Sequence, residues 1–230
     1  MRRAIGIGLF FLVGLLVPRV AEANILCRWF GYCVYESPGF RIAVVDRETG
    51  QPLADVHALA EWQMYGGHGR NGPLMVEDTV SGLDGLFTFP AWGPTRAPGV
   101  GLVLNHDPVI SLFKPGYKAL VIFNMPGTDE TARVRGFTQE GRTYSLEPFR
   151  GTPEDWVQQL KKAAYPETAG RTSEEQLRQF RLPYLNRMRR VWAERDKVPQ
   201  QYRKEGQLFW HIGRSIKFYE EGKFYEGGGQ

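Results

Sequence analysis

Short runs of β-branched and aromatic residues, separated by turn residues, dominate the middle of the chain. Such runs predict β-strands, and no segment between them has the length and periodicity of a helix. We therefore expect antiparallel strands packed as a β-sandwich. The predicted strands are residues 40–45, 56–62, 74–80, 86–89, 101–104, 109–113, 118–123, 132–137 and 143–146.

Alternation within these runs indicates which side chains are internal. Phe40, Ile42 and Val44 share one face of the first run, and Phe87 and Phe89 share one face of another, so both sets are expected in the core. The run 118–123 is instead almost continuously apolar from residue 119 onward. This pattern predicts a central strand covered on both sides, with the last third of the chain as the second cover.

Beyond Leu146 the pattern changes to helical. A first helix is predicted to begin at Thr152 and to run to Tyr165, because a capping hydroxyl precedes Pro153 and two acidic residues. Thr172 and Glu175 have the spacing of a capping box for a second helix, and a third helix is predicted over residues 207–220.

The second predicted helix carries an apolar stripe at helical spacing, for which packing against the sandwich or the other helices is the favoured interpretation. Arg178, Arg187, Arg189 and Arg190 are expected to lie largely off this stripe. Pro183 should kink or split the helix, because it removes the hydrogen bond to Gln179. The stripe consists of Leu177, Phe180, Tyr184, Leu185, Met188, Val191 and Trp192.

The first 23 residues have the pattern of a secretory signal peptide: two arginines, an apolar run over residues 4–17, and the small-x-small sequence that ends at Ala23. About 14 apolar residues are too few to cross a bilayer. The sequence therefore predicts an exported, periplasmic or secreted protein with three parts: a signal peptide (1–23), a β-sandwich domain (24–149) and a helical C-terminal extension (150–230).

The two cysteines, Cys27 and Cys33, follow directly after the expected cleavage point. In an exported chain so close a pair predicts a disulfide, which would pin the N-terminal segment and contribute about 2 kcal/mol. The rival interpretation is a lipid anchor on Cys27, which Leu26 disfavours because such sites usually place a small residue before the cysteine.

Charge divides the mature chain into two unequal surfaces. Residues 24–149 carry 10 Lys/Arg and 13 Asp/Glu, whereas residues 150–230 carry 16 Lys/Arg and 11 Asp/Glu. Export makes nucleic acid a poor partner for the basic part, for which a solvated helical face is the favoured interpretation. The expected partner is an unidentified protein or another envelope component. A weak contact of the basic C-terminal helices with an anionic surface is the less favoured interpretation.

Four segments together resemble the carboxypeptidase regulatory-like family, whose members have a prealbumin-like (transthyretin-like) sandwich. They are residues 40–46, 50–56, 81–89 and 113–117, and the resemblance covers about residues 38–125. It implies a non-catalytic accessory module of the kind found beside peptidases, in receptor plugs and in many exported proteins. Gly85, Pro52, Pro115 and the aromatic residues Phe87, Phe89 and Tyr117 are all explained by architecture.

Candidate chemistry is sparse. The histidines form no zinc-peptidase signature, and His57 and Glu61 are expected to lie roughly 13 Å apart on one strand face, too far to share a metal. A loop-built metal site from His68, His106 and Asp107 remains the alternative. The leading hypothesis is thus an exported non-enzymatic binding, accessory or structural module without a cofactor, and the alternative is a loop-built metal-dependent hydrolase.

Overall fold

The computed structural model describes residues 33–66, 69–97, 102–103, 106–129, 132–164 and 174–221. Within these ranges the chain is mainly β, with sheets of antiparallel strands followed by a helical segment, which confirms the predicted fold class. The expected signal peptide and Cys27 lie outside the described residues. Among the helices in these ranges, none has the length and apolar character needed to cross a bilayer.

Ten strands precede the helices. They are β1 (Val34–Ser37), β2 (Phe40–Asp46), β3 (His57–Gly66), β4 (Gly69–Val80), β5 (Leu86–Phe89), β6 (Trp92–Arg96), β7 (Leu102–Val103), β8 (Val109–Phe113), β9 (Leu120–Ile122) and β10 (Thr143–Leu146).

The strands of the described ranges form three sheets. The largest has the order β4-β3-β8-β9, with β7 paired to the far end of β3; a second has the order β10-β2-β5; and β1 pairs with β6. All strand pairs are antiparallel except one: β10 lies parallel to β2, with Thr143 opposite Ala43. This pairing departs from the all-antiparallel expectation, because β10 returns to the sandwich only after the long 123–142 connection.

The main hydrophobic core lies between the two larger sheets. Phe40, Ile42 and Val44 of β2 and Phe87 and Phe89 of β5 are all buried in it, as the alternation predicted. Every second residue of β3 faces them from the opposite sheet, so the two layers share one apolar cluster. These β3 residues are Ala58, Ala60, Trp62 and Met64.

Two local contacts, one within a sheet and one between the sheets, fix the packing at the end of β2. Gly85 has φ +72°, and a Cβ atom there would lie 2.4 Å from the Val44 carbonyl oxygen, so only glycine fits. On the connection that follows β8, the Tyr117 hydroxyl donates to Asp46 Oδ2 at 2.8 Å. Tyr117 is partly buried, packs against the main core, and links the segment after β8 to the end of β2.

The outer face of the large sheet is covered by the C-terminal helices, which confirms the predicted second cover. They are α1 (Pro153–Ala164), α2 (Glu174–Gln179), α3 (Arg181–Trp192) and α4 (Leu208–Glu221), with two 3₁₀ helices (Arg195–Lys197 and Gln200–Arg203) between α3 and α4. Phe113 of β8 and Ala119 belong to the same apolar cluster as the buried side chains of α1, α3 and α4.

The observed helix starts agree with the predicted ones only in part. At α1, Asp155 N–H donates to Thr152 Oγ1 at 3.2 Å and Thr152 N–H donates to Asp155 Oδ2 at 3.0 Å, a reciprocal cap at the predicted position. The second predicted helix is split at Phe180 into α2 and α3. The split places Pro183 in the first turn of α3, where a missing N–H costs no intrahelical bond. Thr172 lies outside the described residues.

Two strand predictions were wrong, and two strands have no counterpart among the predicted ones. The run 118–123 is not a central strand: β9 is the edge strand of its sheet, and Phe123 is 42% exposed. The interior strands of that sheet, buried on both faces, are β3 and β8. Residues 132–137 form no strand but only isolated bridges, among them the one between Val134 and Glu36. The short strands β1 and β6 carry little sequence signal, and β6 contains Pro94.

Candidate functional site

Strand β3 carries polar residues on the face that the helices cover. His57, Glu61 and Gln63 alternate with the core residues of this strand, and each is buried. The same period of two that fills the sandwich core with Ala58, Ala60, Trp62 and Met64 places these polar groups on the opposite face, where His57 and Glu61 meet α3. Buried polar and charged groups of this kind require partners, because desolvation without hydrogen bonds is costly.

Arg187 of α3 is the partner of His57 and bonds the neighbouring strand β8 as well. Its residue is only 1% exposed, and each of the five guanidinium N–H groups has an acceptor. Nε donates to His57 Nδ1 at 2.9 Å; Nη1 donates to Ser111 Oγ at 3.2 Å and to the Ala163 carbonyl oxygen at 3.1 Å. Nη2 donates to the carbonyl oxygens of His57 at 3.1 Å and Ser111 at 2.8 Å. One side chain thus joins α1, α3, β3 and β8.

These contacts fix the protonation state of His57. Because Nδ1 accepts from Arg187, the ring proton lies on Nε2, which donates to Asp78 Oδ2 at 3.0 Å. Burial, together with the charge of Arg187, lowers the pKa of His57 from 6.5 to about 4, although Asp78 opposes this shift. His57 is therefore a neutral imidazole at neutral pH.

Two carboxylates balance the buried cation. Burial alone would raise the pKa of Asp78, but the hydrogen bonds from His57 and Asn186 outweigh it and lower that pKa, so the group is ionised. Glu61 Oε1 accepts from the Tyr184 hydroxyl at 2.7 Å and from Gln63 Nε2 at 3.3 Å. Burial lowers the pKa of Arg187 to about 9, and the attraction of Glu61 and Asp78 limits that fall. Arg187 therefore stays charged at neutral pH.

The arrangement contains the residue types of a serine triad but not its hydrogen-bond pattern. A triad needs a histidine nitrogen free to take the proton of the serine hydroxyl. Here both ring nitrogens of His57 are occupied, by Arg187 and by Asp78, and Ser111 Oγ accepts from Arg187 instead of donating to the histidine. The hydrogen bonds of this network hold the helices on the sheet.

Sequence reasoning missed Arg187 and expected it on the polar side of its helix. The signal was present, since Tyr184, Arg187, Met188 and Val191 follow the i, i+3, i+4, i+7 spacing of one helix face. A charged side chain at such a position is usually exposed, but Arg187 is buried because acceptors surround it. The expectation that His57 and Glu61 share a strand face was confirmed, and Arg187 contacts His57 while Tyr184 contacts Glu61.

The proposed loop-built metal site is only partly within the described residues. His106 Nε2 lies 4.0 Å from Asp107 Oδ1, and the His106 ring meets the Phe123 ring edge to face, with centroids 5.8 Å apart. Asp107 is buried, and its Oδ2 accepts from the Gln63 backbone N–H at 3.0 Å. No group of three potential metal ligands occurs in the described ranges, and His68 lies outside them.

The predicted disulfide falls across the boundary of the described residues. Cys33 opens the described part of the chain and is buried in the sandwich core, whereas Cys27 lies outside. The pairing of Cys27 with Cys33 therefore stays a prediction.

Comparisons with known proteins assign no family. No family model matches the sequence, and no curated protein matches it. Among solved structures, the chain is similar to the dioxygenase domain of a dioxygenase carbohydrate-binding protein fusion from the cellulolytic bacterium Streptomyces sp. SirexAA-E. The identity is 19%, the match covers 50% of this chain and 81% of that chain, and the TM-score is 0.29.

Two further structures show comparable likeness. The group B streptococcus pilus 2b backbone protein is 14% identical over 49% of this chain and 41% of its own, with a TM-score of 0.24. A 9R-lipoxygenase from Cyanothece PCC8801 is 13% identical over 79% of this chain and 26% of its own, with a TM-score of 0.27. At these scores none of the three carries an argument about this chain.

Proposed function

We propose that this chain is an exported, non-enzymatic module that acts by binding or supporting a partner at the cell envelope. The observation that carries the proposal is the saturation of Arg187: this buried guanidinium, 1% exposed, donates to His57, Ser111 and Ala163 and not into a cavity. Residue types that often serve catalysis are here committed to holding the helical cover on the sandwich. The function then belongs to the outer surfaces of that body.

The resemblance of residues 38–125 to carboxypeptidase regulatory-like modules supports the same proposal, because those modules accompany other proteins without catalysing reactions. The N-terminal sequence supports export. The partner is expected to be a protein or another envelope component, and the excess of Lys/Arg over Asp/Glu after residue 150 favours an acidic one.

Export is tested with residues 1–23 fused to a reporter that is active only outside the cytoplasm. Reporter activity that is lost on replacing the apolar run 4–17 by polar residues is the expected result. An inactive reporter contradicts the proposal of export.

Binding without catalysis is tested by site-specific photo-crosslinking in intact cells. A crosslinking residue at Leu83, 92% exposed on the sandwich, is compared with one at Leu182, 58% exposed on the helical cover. The proposal expects one of the two positions to give a defined crosslinked partner. It also expects the purified chain to give no hydrolase turnover; turnover that requires a stoichiometric metal and is lost in His68→Ala or His106→Ala would replace it with the metal-dependent hydrolase.

A further inference from the structure

A basic concavity lies between the two 3₁₀ helices that connect α3 to α4. It has a volume of about 470 Å³ and is lined by Arg195, Gln200, Arg203 and Lys204. This volume falls in the range of roughly 300–1,000 Å³ that is typical of small-ligand sites. Of the lining side chains in the described ranges, three are cationic, and the glutamine offers both a donor and an acceptor.

Arg203 is held in place before any ligand arrives. Its Nη1 donates to Asp196 Oδ1 at 2.9 Å, and its Nη2 donates to the carbonyl oxygens of Asp196 at 2.9 Å and Val198 at 2.8 Å. The Nε–H of the same guanidinium is buried and has no hydrogen-bond partner in the described part of the chain. A pre-oriented guanidinium loses less rotamer entropy on binding than a free side chain.

The positive charge around the concavity is only partly neutralised. Asp196 forms an ion pair with Arg203, and its Oδ1 also lies 3.5 Å from Arg195 Nη1. The Arg195 guanidinium further lies 5.4 Å from the centre of the Trp192 ring, which orients it without cancelling its charge. Lys204 takes part in no ion pair within the described ranges. Arg195 and Arg203 therefore share one carboxylate, and Lys204 adds a positive charge that no ion pair in the described ranges offsets.

We infer that this concavity binds the phosphate group of a phosphorylated ligand. A concave surface lined by charges of one sign concentrates counter-ions of the opposite sign. Arginine presents parallel N–H donors that match phosphate oxygens, and lysine adds a mobile point charge. The volume exceeds what a bare phosphate fills, so the ligand is a phosphate ester whose remaining part extends toward solvent.

This inference rests on the proposed binding role, whose partner chemistry it specifies, but the two fail separately. Phosphate binding is measured on the purified chain, whereas the proposed function is measured by export and crosslinking in cells. Absence of phosphate binding would contradict the anion site but would not contradict a protein partner identified by crosslinking.

The test is a titration of the purified chain with inorganic phosphate, followed by calorimetry or by backbone amide shifts of residues 195–204. The double variant R195Q/K204Q removes two lining charges but keeps Arg203, which organises the segment. We expect it to weaken phosphate binding by about tenfold or more, as for lost hydrogen bonds between charged groups. The matched control K161Q/K162Q removes two exposed charges from α1 and should bind as the unaltered chain does.

Co-sedimentation with lipid vesicles distinguishes two possible sources of the phosphate ester. Co-sedimentation with phosphatidylglycerol vesicles but not with phosphatidylcholine vesicles, with competition by phosphate, identifies a lipid headgroup. Phosphate binding without co-sedimentation identifies a soluble phosphorylated ligand. The inference is overturned if phosphate does not saturate the chain at millimolar concentration, or if K161Q/K162Q loses as much affinity as R195Q/K204Q.

Discussion

Arg187 Nε donates a hydrogen bond to His57 Nδ1 at 2.9 Å, across the boundary between helix α3 and strand β3. A neutral histidine thereby accepts from a guanidinium that is charged at neutral pH, and its other nitrogen donates to Asp78. Because a proton on Nδ1 would oppose the arginine N–H, this contact exists only while the imidazole is neutral. The junction between sandwich and helices is therefore both polar and sensitive to protonation.

The first prediction concerns the buried cation. Arg187→Met should lower the free energy of unfolding by about 3–5 kcal/mol, because it leaves Glu61 and Asp78 without their buried counter-charge. Urea unfolding followed by circular dichroism measures this difference. The control is Arg189→Gln, which removes an exposed ion pair with Glu220 and should cost less than about 1 kcal/mol. Equal effects of the two substitutions would contradict the structural role of Arg187.

The second prediction concerns pH. The unfolded chain protonates this imidazole below about pH 6.5, whereas the folded chain does so only near pH 4. Between these values the unfolded state binds more protons, so stability is full above pH 6.5 and falls as the pH drops toward 4. The total loss from this group is about 3 kcal/mol.

Unfolding midpoints measured from pH 7.5 to 4 check this expectation by comparison with His57→Gln. The variant should be less stable at pH 7 but should have a flatter profile across that window. His211→Gln, which alters an exposed histidine, should keep the profile of the unaltered chain. If the profile of His57→Gln is as steep as that of the unaltered chain, His57 is not the group that titrates.

The third prediction concerns the Tyr184 hydroxyl, which donates a hydrogen bond to Glu61. Tyr184→Phe should cost about 1–3 kcal/mol, because the Glu61 carboxylate loses a buried donor while the ring packing is kept. Burial and Glu61 raise the pKa of Tyr184 well above its usual value of 10, so its hydroxyl donates throughout the neutral range. Tyr202→Phe, at a half-buried tyrosine packed on the helical cluster, should leave the midpoint nearly unchanged.

The fourth prediction concerns a turn in the sandwich. Gly85→Ala should destabilise the chain by more than Gly50→Ala, although both glycines have positive φ, +72° and +69°. At Gly50 nothing lies within 4 Å of the added Cβ. The loss of stability there comes only from holding alanine in a left-handed backbone conformation, roughly 1–2 kcal/mol. At Gly85 the added atom also meets the Val44 carbonyl oxygen. A smaller or equal loss for Gly85→Ala, measured by thermal unfolding, would contradict this packing.

Local patterns predicted most of the core and most of the helices. The period of two in β2 and β5 identified Phe40, Ile42, Val44, Phe87 and Phe89, and residue types at the start of α1 identified its cap. These predictions succeed because each depends on neighbours in sequence.

The site itself could not be predicted in the same way. The apolar run 118–123 gives no information about which strands flank it, so an edge strand was taken for a central one. Arg187 is buried because Ser111 and Ala163 bring acceptors to it from distant parts of the chain, and no local pattern encodes that meeting. Charge at a core-facing helical position was the one available signal.

The most direct test of the central claim, that the Arg187 network couples the helical cover to the sandwich, is native-state hydrogen exchange on the unaltered chain and on Arg187→Met. In the unaltered chain, amides of α3 and β3 should exchange through openings of similar free energy. In the variant, α3 amides should exchange through openings of much lower free energy, whereas β2 and β5 amides should retain most of their protection. If the α3 amides of the variant keep the protection they have in the unaltered chain, the network does not couple the two layers and the account is contradicted.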